Sequence, residues 1–227
     1  MSDSSVRQRV CSYLFLFVAV FLLSACGSER SEERISRSVI NNTVVSTALP
    51  EITFDVDPAF RFLGKFDFKI RDVAVGQRFI FADEADGLVA RLFIVQFENF
   101  LPSNEETYNY NFESAEDIGG HLFRQNTWAY SNADAERNNP TGEGALTAQF
   151  IRDAGLVLED ELIMSRFLTV PDKERRHEMI LFYLEPASTT GYTIDSFYDE
   201  NDNMTSHWLT LSKSLTRRSR TAFDIAG

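Results

Sequence analysis

The chain is 227 residues long, 44% hydrophobic and 25% charged, with 20 Phe and a formal net charge of −12. A length of this order can bury a full core and most often makes one domain, and so many Phe exclude a wholly disordered polymer. The acid excess excludes a general nucleic-acid binder, which needs a basic surface, and broad adhesion to anionic lipid.

Arg7 and Arg9 stand ahead of an apolar run, LFLFVAVFLL, from Leu14 to Leu23. A helix crossing the hydrocarbon core needs about 20 such residues. A shorter run behind basic residues and ahead of small ones reads instead as a cleavable secretory signal. Leu23-Ser24-Ala25-Cys26 follows and resembles the lipobox of bacterial lipoprotein precursors, a likeness confined to the signal and Cys26. The resemblance implies a signal peptide at 1–25, cleavage before Cys26, and acyl chains (palmitate among them) on the Cys26 sulfur. One chain holds a protein only marginally, whereas the two or three carried by this class anchor it stably. In the class, an Asp directly after the acylated Cys favours inner-membrane retention. Gly27 and Ser28 stand here, so the resemblance implies the outer membrane, facing the periplasm. Cleavage removes Asp3, Arg7 and Arg9, a net +1, so the net charge falls from −12 to −13. With Cys26 acylated and Cys11 lost with the signal, no thiol remains for a disulfide, a nucleophile or a thiolate metal site.

Residues 26–50 are polar and without regular periodicity, and read as a tether spanning about 25 Å if flexible; the alternative is a first strand or helix packed on the core through Val39-Ile40 and Val44-Val45. A single domain is expected over 51–227. ITFDV and FRFLGKFDFKI have strand character, with Gly64 available for a turn. Asp83 to Gly87 is turn chemistry between apolar runs, predicting a hairpin of about 77–82 with 88–100, closed by Pro102. YNYNF, 108–112, suggests a short strand, and Ser114 with Asp117 a short helix limited by Gly119-Gly120. Arg124 to Ser131 suggests a strand and 131–144 a loop. Thr141 is positioned to cap a helix over 143–154, stopped by Gly155. A second hairpin, 161–170 with 176–185, turns at PDKERR. The last element, about 204–223, reads as a helix capped by Asp202 or Asn203.

The strands are apolar on both faces. In 88–100, Leu88, Ala90, Leu92 and Ile94 point one way, and Val89, Phe93, Val95 and Phe97 the other. A sheet with one wet face alternates instead. The expected fold is therefore α+β: a curved, mainly antiparallel sheet built from hairpins, covered by the 143–154 helix and the C-terminal helix.

Polar residues interrupt these strands at Arg91, Gln96, Glu98 and Arg166. An Arg in an apolar strand must snorkel, pair or line a cavity. Arg91 and Arg166 are candidates for holding a carboxylate or phosphate under the helix, or for structural ion pairs with Glu98 or another acid. No catalytic residue stands out. HEMIL, 177–181, lacks the second His of a zinc-protease motif, and a strand would hold its ends too far apart to chelate one ion. KERRHE reads as a solvated hairpin tip. YDENDN, 198–203, lacks calcium-loop spacing. TGEG, 141–144, is no phosphate loop, and no G-x-S-x-G elbow occurs. Lys213, Arg217, Arg218 and Arg220 complement the dipole of the last helix.

No cofactor or metal is expected, and no nucleic-acid partner. The expected partners are the membrane, through the lipid anchor, and another envelope protein. The leading role is non-catalytic binding or scaffolding on the periplasmic side. The alternatives are a carrier of a small apolar ligand, held between the curved sheet and the last helix, and a hydrolase acting on envelope material.

Overall fold

The computed structural model describes residues 36–201 and 203–226. The expected signal peptide, residues 1–25, and Cys26 lie outside the described residues. The fold is α+β, with two sheets of antiparallel strands. The smaller contains β1 (Arg37–Ile40), β2 (Thr43–Ser46), β3 (Ile52–Val56) and β11 (Phe223–Ile225), in that order. The larger contains β4 (Arg61–Ile70), β5 (Ala74–Ala85), β6 (Leu88–Phe100), β7 (Glu116–Ile118), β8 (His121–Ser131), β9 (Glu161–Thr169) and β10 (His177–Pro186). Its spatial order is β4-β5-β6-β10-β9-β8-β7. Three helices join them: α1 (Asn132–Asn138), α2 (Glu143–Asp153) and α3 (Ser206–Arg220).

Turn chemistry sets the hairpins. Asp86 and Gly87 take φ of 54° and 79° between the paired Ala85 and Leu88. That is the two-residue turn whose twist matches the flanking strands. The expected tether is different from Arg37 onward. Asn41 and Asn42, at φ 49° and 65°, turn β1 into β2, and Val44 is fully buried. The folded unit therefore starts ahead of residue 51.

Strand order decides where the connections run. β6 occupies the middle of the large sheet, but the next strand, β7, lies at its edge. The 101–115 connection must therefore cross the sheet. The 132–160 connection, carrying α1 and α2, crosses the same face. Residues 187–226 cover the opposite face with two short 3₁₀ turns, α3 and β11.

The two faces accordingly have separate cores. One joins Phe79, Phe81, Phe93, Phe97 and Phe167 of the large sheet to Phe54 and Phe223 of the small sheet and to Trp208 and Leu215 of α3. The other joins Ile80, Leu92, Ile94, Leu162, Met164 and Leu184 to Ile151 of α2. One expectation about these faces fails locally. Asp83 pairs with Arg91 and Glu84 with Val89, so Ala90 is bulged out. A bulge reverses the alternation, and Val89 joins Leu92 and Ile94 in the second core rather than Phe93 in the first.

Other elements also depart from expectation. YNYNF forms no strand, and residues 114–118 give a turn and β7 instead of a helix. The expected loop after residue 131 contains α1, capped by the Ser131 hydroxyl accepting from Asp134 N–H. α2 begins behind Gly142, without a side-chain cap from Thr141. α3 is capped by Thr205, whose hydroxyl accepts from Trp208 N–H. The acidic run ahead of it folds on itself: the Asp199 carboxylate accepts from the Asn201 and Asn203 N–H groups, and these bonds hold its pKa below the usual range.

Candidate functional site

A cavity of about 400 Å³ lies between the second face of the large sheet and the connections that cross it. That size falls in the range of small-molecule sites. Its floor follows from register. Across the strands, Glu98 is directly opposite Glu178, Gln96 opposite Ile180, Ile94 opposite Phe182 and Leu92 opposite Leu184. Arg166 of β9 pairs with Phe182, and Met164 with Leu184. Arg78 of β5 stands opposite Gln96. Period-two alternation along each strand brings these side chains to one face. The result is a floor that is acidic at the end where β6 finishes and β10 begins, and apolar beyond it.

The roof comes from the crossing segments. Tyr108 and Tyr110 of the 101–115 connection stand over Glu98 and Glu178, and Asn132 with Glu143, Gly144 and Thr147 of α2 completes the cover. Gly144 leaves room there for the Tyr130 hydroxyl, which an added Cβ would displace. Trp128 and Tyr130 of β8 form one wall.

The polar end is wired in sequence. Arg78 Nη1 donates to the Glu143 carbonyl at 2.7 Å and to Thr147 Oγ1 at 2.6 Å, fastening α2 to the sheet. Arg78 Nε donates to Gln96 Oε1, and Gln96 Nε2 donates to Glu98 Oε1. The Tyr108 hydroxyl donates to Glu98 Oε2 at 3.1 Å, and the Tyr110 hydroxyl to Glu178 Oε2 at 3.3 Å. Glu178 Oε1, on a residue only 2% exposed, has no hydrogen-bond partner among the described residues.

Burial governs the charges. It pushes the Arg78 pKa down to about 10, with Glu143 and Glu98 opposing, so the guanidinium stays charged at neutral pH. It raises Glu98, against hydrogen bonds from Gln96 and Tyr108. It pushes Glu178 up to about 8, and the neighbouring Glu98 charge adds to the rise. Two carboxyls facing one another in a dry site cannot both ionise freely. Tyr108 and Tyr110 are raised by burial and by the same carboxylates.

The hairpin tip expected to be a solvated bystander holds the roof. Arg175 Nε donates to the Tyr108 carbonyl at 2.5 Å and Nη2 to the Tyr110 carbonyl at 3.3 Å. Arg176 reaches the Leu101 carbonyl at 2.8 Å and the Glu106 carbonyl at 3.1 Å. Asp172 closes the tip. Burial raises its pKa, but bonds from Arg176 N–H and from His177 outweigh burial and hold it below the usual range.

Of the two arginines singled out in the sequence, Arg166 lines the cavity. Its Nε donates to Asn126 Oδ1 at 3.1 Å, and its guanidinium lies 5.0 Å from the Trp128 ring centre. Burial lowers its pKa. Arg91 is on the opposite side, paired with Asp83 at 2.7 Å and stacked over Phe60. The two therefore do not form one site. Glu98 and Gln96 are in the cavity, but Glu98 connects to Arg78 through Gln96 rather than to Arg91 or Arg166. The interface under α3 is packed by Trp208 and Leu215 with a polar seam, Ser219 to Ser165 at 2.9 Å and Gln125 to Thr216 at 3.0 Å. The cavity is thus across the sheet from the place where a ligand was expected.

Arg78, Glu178, Tyr108 and Tyr110 were missed. Each carries a faint signal: a charge inside an apolar strand, or Tyr alternating with Asn in YNYNF. None of the three histidines lines the cavity, and no cluster of metal-ligating side chains occurs among the described residues. In comparisons with protein-family models, curated proteins and solved structures, nothing matches this chain.

Proposed function

We propose that the protein is a lipid-anchored envelope protein that binds a small amphipathic ligand without catalysis, facing the periplasm. The observation that carries the binding role is the segregation inside the cavity. A wired polar end adjoins an apolar trough formed by Leu92, Ile94, Leu162, Met164, Phe182 and Leu184. Few convergent polar groups in a mostly apolar hollow are the ordinary makeup of a small-molecule site. Placement in the envelope is supported by the lipobox resemblance alone.

The test is mass spectrometry of small molecules released from protein extracted from its native membrane. A co-purifying amphiphile is expected, and Met164→Trp, which fills the trough, should abolish its retention. Absence of any such molecule, together with failure of the full chain to bind an apolar fluorescent probe, would overturn the binding role. For the anchor, Cys26→Ser should release the protein from membranes; unchanged partition and unchanged mass would defeat it.

A second reading, hydrolysis of envelope material, is favoured by one observation. Glu98 and Glu178 face one another, and burial raises both, Glu178 to about 8, so the pair can hold one proton between them. Turnover of isolated envelope polysaccharide or peptide by the parent, lost in Glu98→Gln, would decide for it.

A further inference from the structure

Among the described residues, two buried side-chain atoms lack a hydrogen-bond partner, His177 Nδ1 and Glu178 Oε1. The first has a charged neighbour, Asp172 Oδ2, at 3.2 Å. Glu178 Oε1 has none at that range, and Glu178 is one of the residues that line the cavity. An unpaired buried acceptor is costly, the more so when ionised.

The groups facing Glu178 define what would satisfy it. Glu98 stands opposite on β6 and repels its charge. Tyr110, from the crossing connection, donates to the other oxygen, Oε2, and Tyr108 serves Glu98. Arg166, on β9, attracts Glu178 but forms no ion pair with it among the described residues; its Nε is engaged by Asn126. Arg124, from β8, lies 5.9 Å from the Tyr110 ring centre, on the roof residue rather than on the carboxylate. Arg78 reaches only Glu98, through Gln96. Once Glu178 is ionised, Oε1 needs a hydrogen-bond donor and the carboxylate pair needs a positive charge. A hydroxyl supplies the first alone. A carboxylate supplies neither and is repelled by two acids. An ammonium group supplies both.

Resting on the cavity-binding role above, we propose that the ligand is an amphipathic amine. Its ammonium group seats on Glu178 Oε1 beside Glu98, and its apolar body runs along Ile94, Phe182, Leu184 and Met164 towards Trp128. Binding ionises Glu178 and releases its proton.

The test uses the full chain and three probes with one apolar body: decylamine, decan-1-ol and decanoate, titrated calorimetrically below their micelle concentrations at neutral pH. Charge-assisted hydrogen bonds outweigh neutral ones, so the amine should bind about tenfold or more tighter than the alcohol, with decanoate weakest. Amine affinity should rise with pH until Glu178 is ionised, and the heat should report proton release in buffers of different ionisation enthalpy. Glu178→Gln should erase the advantage of the amine over decan-1-ol, and a cooperative thermal melt with an unchanged far-ultraviolet spectrum shows that the variant is folded. Tightest binding by decanoate would overturn the proposal and place the head on Arg166, with the cavity role intact. Equal binding of amine and alcohol, or an amine preference that survives in Glu178→Gln, would overturn it too. No binding by any of the three would overturn both the amine and the cavity role.

Discussion

The two faces of the large sheet are built from the same strands and closed in opposite ways. On the face towards the small sheet and α3, aromatic rings interlock. Phe223 stacks on Phe93 at 5.8 Å, meets Phe167 edge-on at 5.5 Å and Phe54 at 6.4 Å. On the other face, aliphatic side chains and buried charges surround a hollow. Hollows and buried carboxyls both cost stability. A densely packed reverse side that holds the strands in place can offset that cost. The first face thus reads as the support and the second as the site.

The largest expected effect tests this division. Phe93→Ala removes a ring that is 1% exposed from the centre of the packed face, and should cost about 3–5 kcal/mol in chemical denaturation. Leu184→Ala, on the cavity side, borders space that already exists, and should fall near the low end for Leu, about 2 kcal/mol. Equal costs would mean that the two faces share the work of stability.

Next is Glu178→Gln. The ordinary Glu value of 4.5 rises to about 8 in the folded chain. The native state therefore holds a proton that the unfolded chain has released. The favourable contribution of that proton is complete below the lower value and is lost as pH rises through the upper one. The parent should lose on the order of a few kcal/mol across that window through this group, and Glu178→Gln should not. Thermal melts of both proteins from acid to alkaline pH measure the difference. A parallel decline would place the carboxyl in a wetter setting than its 2% exposure allows.

Arg175→Ala comes third. It leaves the Tyr108 and Tyr110 carbonyls without their side-chain donor, at about 1–2 kcal/mol. Faster amide exchange confined to 101–115, with the packed face unchanged, is expected. Exchange that quickens on both faces would show that the roof and the support unfold as one unit.

The packed face was more legible than the site, for a physical reason. Hairpins announce themselves locally: Asp86-Gly87 forces a turn, and Pro102 follows the end of β6. The two-faced apolar strands correctly demanded cover on both sides, and α2 and α3 supply it. The polar hairpin β1–β2 gives only a weak signal, because Val44 and Ser46 alone of its residues are buried. The bulge at Ala90 left no local sign, so Val89 was assigned to the wrong face. The site depends on β6 meeting β10, strands separated in the chain by both crossing connections. Glu98 drew notice as a charge among apolar residues. Glu178 does not, because in sequence it belongs to a broken zinc motif and to a charged hairpin tip. Its meaning comes from the register that sets it against Glu98, which no local pattern encodes.

The smallest effect concerns the outer edge of the cavity side. α1 buries none of its residues. Its Arg137–Asp134 pair is side-chain exposed by 69% and 58%, and exposed pairs of this kind contribute about 0–0.5 kcal/mol. Arg137→Ala should therefore leave both the melting temperature and probe binding near the parent values. Ser131→Ala is the informative neighbour. The Ser131 hydroxyl accepts from Asp134 N–H at 3.1 Å and donates to Asp160 at 3.2 Å, tying α1 to the segment that enters β9. Losing that cap should cost about 1 kcal/mol, more than losing the ion pair. The reverse ranking would mean that the exposed face of α1 is held against something besides water, and that the cavity side extends further outward than Tyr108, Tyr110 and α2.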